Sequence, residues 1–255
     1  MKMEKDLEMI FGFNVIEEVI DSREENVKTL FVLESKSNSR IKALVNKAKS
    51  KEIIVSFKSK RFFKENFENL NHQGVSILCK KRKEENETFL DGLLGKKVLL
   101  LLVLDHLTDP HNVGACLRSA SAANVDAVIV PKNRACHLSP SVRKISSGGS
   151  ELIPFIIVKN LVRTLEKIRS CGVEVVGADP LARDSYSDID LGKKVAFVIG
   201  AEDRGLKRLT SKNCDRLVKI DMPGRMESLN TSVSASILIF EYLRKNKNTF
   251  LTETS

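Results

Sequence analysis

Apolar positions along this chain alternate between short continuous runs and helical spacings. In the first third, Phe13, Ile16 and Ile20 fall on a helical segment after Gly12. Residues 29–33 (TLFVL) form a short β-rich run, Ile41, Leu44, Val45 and Ala48 return to helical spacing, and Glu52–Phe57 predicts a strand. Arg61–Phe67 reads as helix and Gly74–Cys79 as a last strand. Together these make a small α/β unit of about 80 residues.

The rest of the chain alternates more cleanly. Strands are predicted at Val98–Leu104, Ala127–Val130, Leu152–Ile157, Val173–Val176, Val195–Ile199 and Arg216–Ile220, with helical patterns at 112–123, 160–170 and 232–244 between or after them. Short, fully apolar strands alternating with helices imply a parallel sheet covered on both faces. Ligands of such sheets bind at the carboxyl ends of the strands. Between the two parts lies KKRKEENETFLDGLLGKK, whose first eight residues are all polar. The expected organisation is therefore an amino-terminal domain at 1–82, a linker at 83–94 and a second domain at 95–255. The distribution of residue types agrees: all six prolines lie at or beyond Pro110, and eight of twelve phenylalanines precede residue 91.

Composition narrows the class. The longest apolar run, Val98–Leu104, is far shorter than the roughly 20 residues of a membrane span, so no membrane association is expected. The start, MKMEKDLEMI, lacks the apolar stretch of a secretory leader. Five scattered cysteines, none in a C-x-x-C pair, point to a reducing cytoplasm and away from disulfides or a zinc site. The net charge of +9 is unevenly spread. Residues 1–35 carry 4 basic and 9 acidic side chains, whereas 36–83 carry 14 basic and 3 acidic. Such a basic stretch is the footprint of a polyanion site or simply a solvated lysine-rich face. Phe57, Phe62, Phe63 and Phe67 within it could stack bases, but their spacing suits a core.

Three strand-end loops carry the candidate chemistry. After the first strand of the second domain come Asp109-Pro110, a turn, and Asn112, expected to cap the next helix, with Arg118 further along it. Arg118 is either a solvated helix residue or, with Asn112, faces a pocket. After VAFVI comes a G-x-E-x-x-G element formed by Gly200, Glu202 and Gly205, whose glycines would let a ligand approach the backbone. After Ile220 a Pro-Gly turn leads to Ser228, Leu229 and Asn230 ahead of a helix; Ser228 or Asn230 could be no more than its cap. Neither G-x-S-x-G nor a P-loop is present, the four histidines form no metal set, and Cys116 reads as packing.

Taken together, D-P-H-N-V-G-A-C-L-R-S-A at 109–120, I-G-A-E-D-R-G-L at 199–206 and I-D-M-P-G-R-M-E-S-L-N-T-S-V at 220–233 resemble the three motifs of the SpoU/TrmH (SPOUT) family of RNA ribose 2′-O-methyltransferases. Phe11-Gly12-Phe13-Asn14 and Asn71-His72-Gln73-Gly74 resemble landmarks of that family's amino-terminal substrate-binding domain. Thr231 and Asp221 depart from the residues more common there. The resemblance implies an α/β chain in which a parallel-sheet methyltransferase domain carries a carboxyl-terminal trefoil knot at around 195–245. It implies S-adenosylmethionine as methyl donor with no metal, held near Gly177, Gly200, Ile220 and Leu229. It implies Arg118 as catalytic base or phosphate-orienting group, with Asn112, Glu202, Ser228 and Asn230 completing the catalytic set. The nearest branch methylates a guanosine in 23S rRNA, on naked RNA or on an assembling large ribosomal subunit, as a homodimer. A tRNA ribose methyltransferase of the same family and a non-catalytic RNA-binding assembly protein are the alternatives.

Overall fold

The computed structural model describes residues 6–67, 72–226 and 228–246. Asn71 of the second amino-terminal landmark lies outside the described residues.

The amino-terminal unit comprises β1 (Leu7–Phe11), α1 (Phe13–Ser22), β2 (Val27–Leu33), α2 (Ser39–Ser50), β3 (Ile54–Lys58), α3 (Lys60–Phe67) and β4 (Val75–Lys80). Its sheet has the order β1-β4-β2-β3, with β4 antiparallel to both neighbours and β3 parallel to β2. One face packs α1 and α2 through Ile16, Ile20, Ile41 and Leu44; the other buries Phe11, Phe31, Phe63 and Phe67. Phe63 and Phe67 are thus core residues, whereas Phe57 on the edge strand is 54% exposed. Strand β1 had no signature in the sequence, because Glu8 interrupts its apolar positions.

The second unit comprises α4 (Glu87–Leu94), β5 (Leu99–Asp105), α5 (Pro110–Ala122), β6 (Ala127–Pro131), α6 (Pro140–Ile145), α7 (Gly149–Leu152), β7 (Phe155–Val158), α8 (Leu161–Ser170), β8 (Glu174–Ala178), β9 (Asp184–Ser185), β10 (Lys194–Gly200), α9 (Arg208–Lys212), β11 (Arg216–Lys219) and α10 (Thr231–Lys245). Its seven strands run parallel in the order β7-β6-β5-β10-β8-β11-β9. Side chains alternate across a strand, so β5 serves both layers. Leu100, Leu102 and Leu104 pack in the core that includes α5 and α10, and Leu99, Leu101 and Val103 pack with α4 and α8.

Two expectations change. Residues 83–94 are not a free linker: Glu85 bridges to Ile156 of β7, and Leu90 and Leu94 of α4 are buried in the core of the second unit. Asn86 caps α4 by accepting from the amides of Thr88 and Phe89, so a polar run that reads as linker is a helix start. Strand β7 begins at Phe155 rather than Leu152, because Ile153 is held extended before Pro154 and α7 occupies the preceding residues.

Candidate active site

The three motif loops leave the carboxyl ends of β5, β10 and β11; β5 and β10 are neighbours, and β8 lies between β10 and β11. Asp105 ends β5 opposite Gly200, the last residue of β10. Its carboxylate is 1% exposed; one oxygen binds the ring of His106 and the other accepts the Lys207 amide at 2.8 Å. A buried acid on a central strand thereby pins the far end of the 201–207 loop. Sequence reasoning missed Asp105 as a site residue; its place at the end of an apolar run was the available signal.

The loop itself folds back on Gly200. The Gly205 amide donates to the Ala201 carbonyl at 2.7 Å, and a Cβ placed on Gly200 would lie 2.1 Å from the Gly205 carbonyl carbon. The absent Cβ of Gly200 therefore makes room for its own loop. Gly205 sits at φ +62, a left-handed conformation natural to glycine. The Thr231 hydroxyl, buried, donates to the Gly200 carbonyl at 3.4 Å.

Helix α5 is capped by Asp109, which accepts the His111 amide at 3.0 Å with Pro110 in the first turn. Asn112 is inside the helix, not at its cap as expected, and its side-chain amide is free to reach across. Its Nδ2 donates to Glu202 Oε2 at 3.4 Å, and its Oδ1 accepts from Asn230 Nδ2 at 2.8 Å. Asn230 Nδ2 is also 3.3 Å from Glu202 Oε2. Asn230 caps α10 as well, its Oδ1 accepting the Ser232 amide at 2.9 Å. One side chain thus starts a helix and closes a triangle joining all three loops.

Beside this triangle lies a cleft of about 390 Å³ lined by Gly200, Glu202, Ile220, Ser228 and Leu229, among others. Ile199, Val218, Leu206 and Ile220 give it apolar walls, and Glu202, Asp203 and Asp179 bring carboxylates to it. An apolar body with a cationic centre fits such a lining. Among the described residues no cluster of His, Cys, Asp and Glu could hold a metal ion. Gly177 does not line the cleft; a Cβ there would meet Leu206, Cys214 and Leu217 at 2.8 Å, and its neighbour Ala178 supplies the wall. Asp221, the departure from the usual motif, is held by the Ser185 hydroxyl.

Arg118 stands apart. Six residues after Asn112 it lies about 120° away around α5 by the geometry of 3.6 residues per turn. It is exposed and makes no hydrogen bond or ion pair among the described residues. Cys116 is fully buried, its thiol pushed up to about 12 by burial, so it stays protonated and serves packing.

Residues 99–240 match the model of the SpoU rRNA Methylase family, and residues 9–85 match RNA 2′-O ribose methyltransferase substrate binding. The chain belongs to the SpoU family. Relatives named 23S rRNA (guanosine-2′-O-)-methyltransferase RlmB include those of Coxiella burnetii, 39% identical over 94% of this chain and 97% of that one, and Pseudomonas aeruginosa, 39% identical over 93% and 96%. The SpoU methyltransferase AviRb from Streptomyces viridochromogenes, solved in complex with the cofactor AdoMet, shares the fold with a TM-score of 0.77 at 20% identity, over 95% of this chain and 92% of that one. The two-unit SpoU architecture read from the sequence is therefore the one present, and the triangle falls within the methylase match.

Proposed function

We propose that this SpoU-family chain transfers a methyl group from S-adenosylmethionine to the ribose 2′-OH of a guanosine in 23S rRNA. The observation that carries the reading is the Asn112–Glu202–Asn230 triangle at the rim of a carboxylate-bearing apolar cleft. The RlmB names of relatives that align over most of their own length support the substrate.

When bound in the cleft, S-adenosylmethionine supplies a methyl group on a positively charged sulfur, a good leaving group. Gly200, Ile220 and Leu229 line its place, and Ser228 shapes the turn around it. The chain's task is to position a weakly acidic hydroxyl and help remove one proton. The Asn112 and Asn230 amides hold Oε2 of Glu202, so Oε1 keeps a fixed direction toward an incoming hydroxyl. Arg118 carries a permanent charge, which suits holding an RNA phosphate and stabilising a developing alkoxide better than acting as a base.

The remaining readings belong to the same proposal. Residues 1–82 grip RNA and the segment from 83 onward does the chemistry. Residues around 195–245 form the family's trefoil knot. The protein works in the cytoplasm as a homodimer, for which Val233 and Phe240, exposed on α10 near the site, offer an apolar face. Among the described residues no helix is long and apolar enough to cross a membrane.

The test is methyl transfer in vitro from tritiated S-adenosylmethionine to 23S rRNA and to tRNA transcripts. Label on one 23S guanosine 2′-oxygen supports the reading. Label in tRNA alone supports the tRNA alternative, and no label in either supports a non-catalytic assembly role.

A further inference from the structure

The two amino-terminal landmarks, unused by the chemistry above, meet at the seam between the units. The Phe13 amide, just after Gly12, donates to Gln73 Oε1 at 3.4 Å, and a Cβ on Gly12 would lie 3.8 Å from Lys144 Cγ of α6. Lys144 belongs to the catalytic unit, and its ammonium sits 5.3 Å from the centre of the Phe11 ring. Lys36 comes from the other side and donates to the Gln73 carbonyl at 3.4 Å. His72 stacks on Phe63 with ring centres 4.7 Å apart, and its Nδ1 accepts the Gly74 amide at 3.0 Å, which leaves the ring proton on Nε2 as a donor. Burial, then the charges of Lys36 and Lys144, hold the His72 pKa below its ordinary value, which keeps the ring neutral.

Among the described residues neither Lys36 nor Lys144 has an ion-pair partner. Other basic groups nearby are paired: Arg40 and Lys47 of α2, and Lys51 just after it, bind Glu17, Asp21 and Glu24. The seam is also fixed. Arg143, next to Lys144 and 2% exposed, binds Glu151 at 2.5 Å and reaches Glu8 of β1 at 3.3 Å, while Arg23 of the amino-terminal unit reaches Glu151 at 2.7 Å. Two cations from different units thus border the Gly12–Gln73 contact, with no ion-pair partner among the described residues.

Resting on the proposed function, we infer that Lys36, Lys144 and His72 form one composite site for the RNA sugar-phosphate backbone, assembled from both units. A phosphodiester is the anion that fits: the lysines supply charge, and the imidazole Nε2–H a neutral donor. The site is the point where bound RNA crosses from the grip to the catalytic unit, and it reads position rather than base.

The experiment uses the full-length protein and 23S rRNA transcript, measuring affinity across a salt series for Lys36→Ala, Lys144→Ala, the double variant, and Lys97→Ala as an exposed lysine at the amino end of β5. A lysine on a phosphate lowers the log-log salt slope by about one. Lys36→Ala and Lys144→Ala should each do so, and their combined effect in the double variant should differ from the sum because they share a ligand. S-adenosylmethionine affinity should stay unchanged in all. Slopes indistinguishable from Lys97→Ala would overturn the site while leaving the methyltransferase reading intact, since wild-type methylation tests that separately.

Discussion

At the residue scale the site rests on a few side chains with two tasks each. Asn230 caps α10 and orients Glu202, and Asp105 ends β5 and pins the 201–207 loop. Gly200 is the most tightly enclosed glycine, because a Cβ there would overlap the backbone of Gly205 and Leu206. Gly200→Ala should lower the melting temperature and weaken S-adenosylmethionine binding at least tenfold by calorimetry. Gly205→Ala has open space and meets only the left-handed backbone cost of about 1–2 kcal/mol, so it should retain more affinity. Equal behaviour of the two variants would contradict the close-approach account. Arg118 tests catalysis apart from binding. Arg118→Ala should lose about 10²–10³ in single-turnover rate with donor affinity intact and sedimentation unchanged. Arg118→Lys should stay impaired, since an ammonium lacks the planar fork. Near-wild-type turnover in Arg118→Ala would remove it from the mechanism.

At the scale of elements, the parallel strands were legible because β5, β6 and β10 are continuous apolar runs with no competing pattern. Gly200, Glu202, Ile220, Ser228 and Leu229, singled out through the family resemblance of three strand-end loops, line one cleft. Asn112 as a cap was misread: Asp109 before Pro110 satisfies the helix start first. Helix α6 starts from a local Ser139–Pro140 cap, a signal that was missed. The short elements α7 and β9 were not legible, since contacts remote in sequence define them. Helix α7 shows why. Glu151 is buried there only because Arg143 and Arg23 converge on it. Removing one partner of a buried pair costs about 3–5 kcal/mol. Glu151→Gln should therefore unfold at clearly lower denaturant, and Arg143→Met combined with it should recover part of the loss. Full additivity of the two in urea melts would show that the pair is not coupled.

Across the whole molecule, the charge asymmetry of the sequence has two causes. Acids of α1 and the following turn pair with Arg40 and Lys47 of α2 and with Lys51 just after it, so part of the excess at 36–83 is spent inside the fold. The remainder includes lysines that face the seam, where a buried ion network joins the amino-terminal unit to α6 and α7 of the second. Neither the seam nor the inclusion of α4 in the second unit could be read from composition, because both depend on how the units dock. The proposed function puts the donor in the cleft, catalysis at the triangle and RNA along the seam of a single chain, which predicts a single modified nucleotide. The direct test is to map ribose 2′-O-methyl groups across rRNA and tRNA in cells with and without the gene, then in cells restored with the wild-type or Arg118→Ala chain. One 23S guanosine should lose its 2′-O-methyl on deletion and regain it with the wild-type chain only. An unchanged 23S map, or a loss confined to tRNA, would contradict the account.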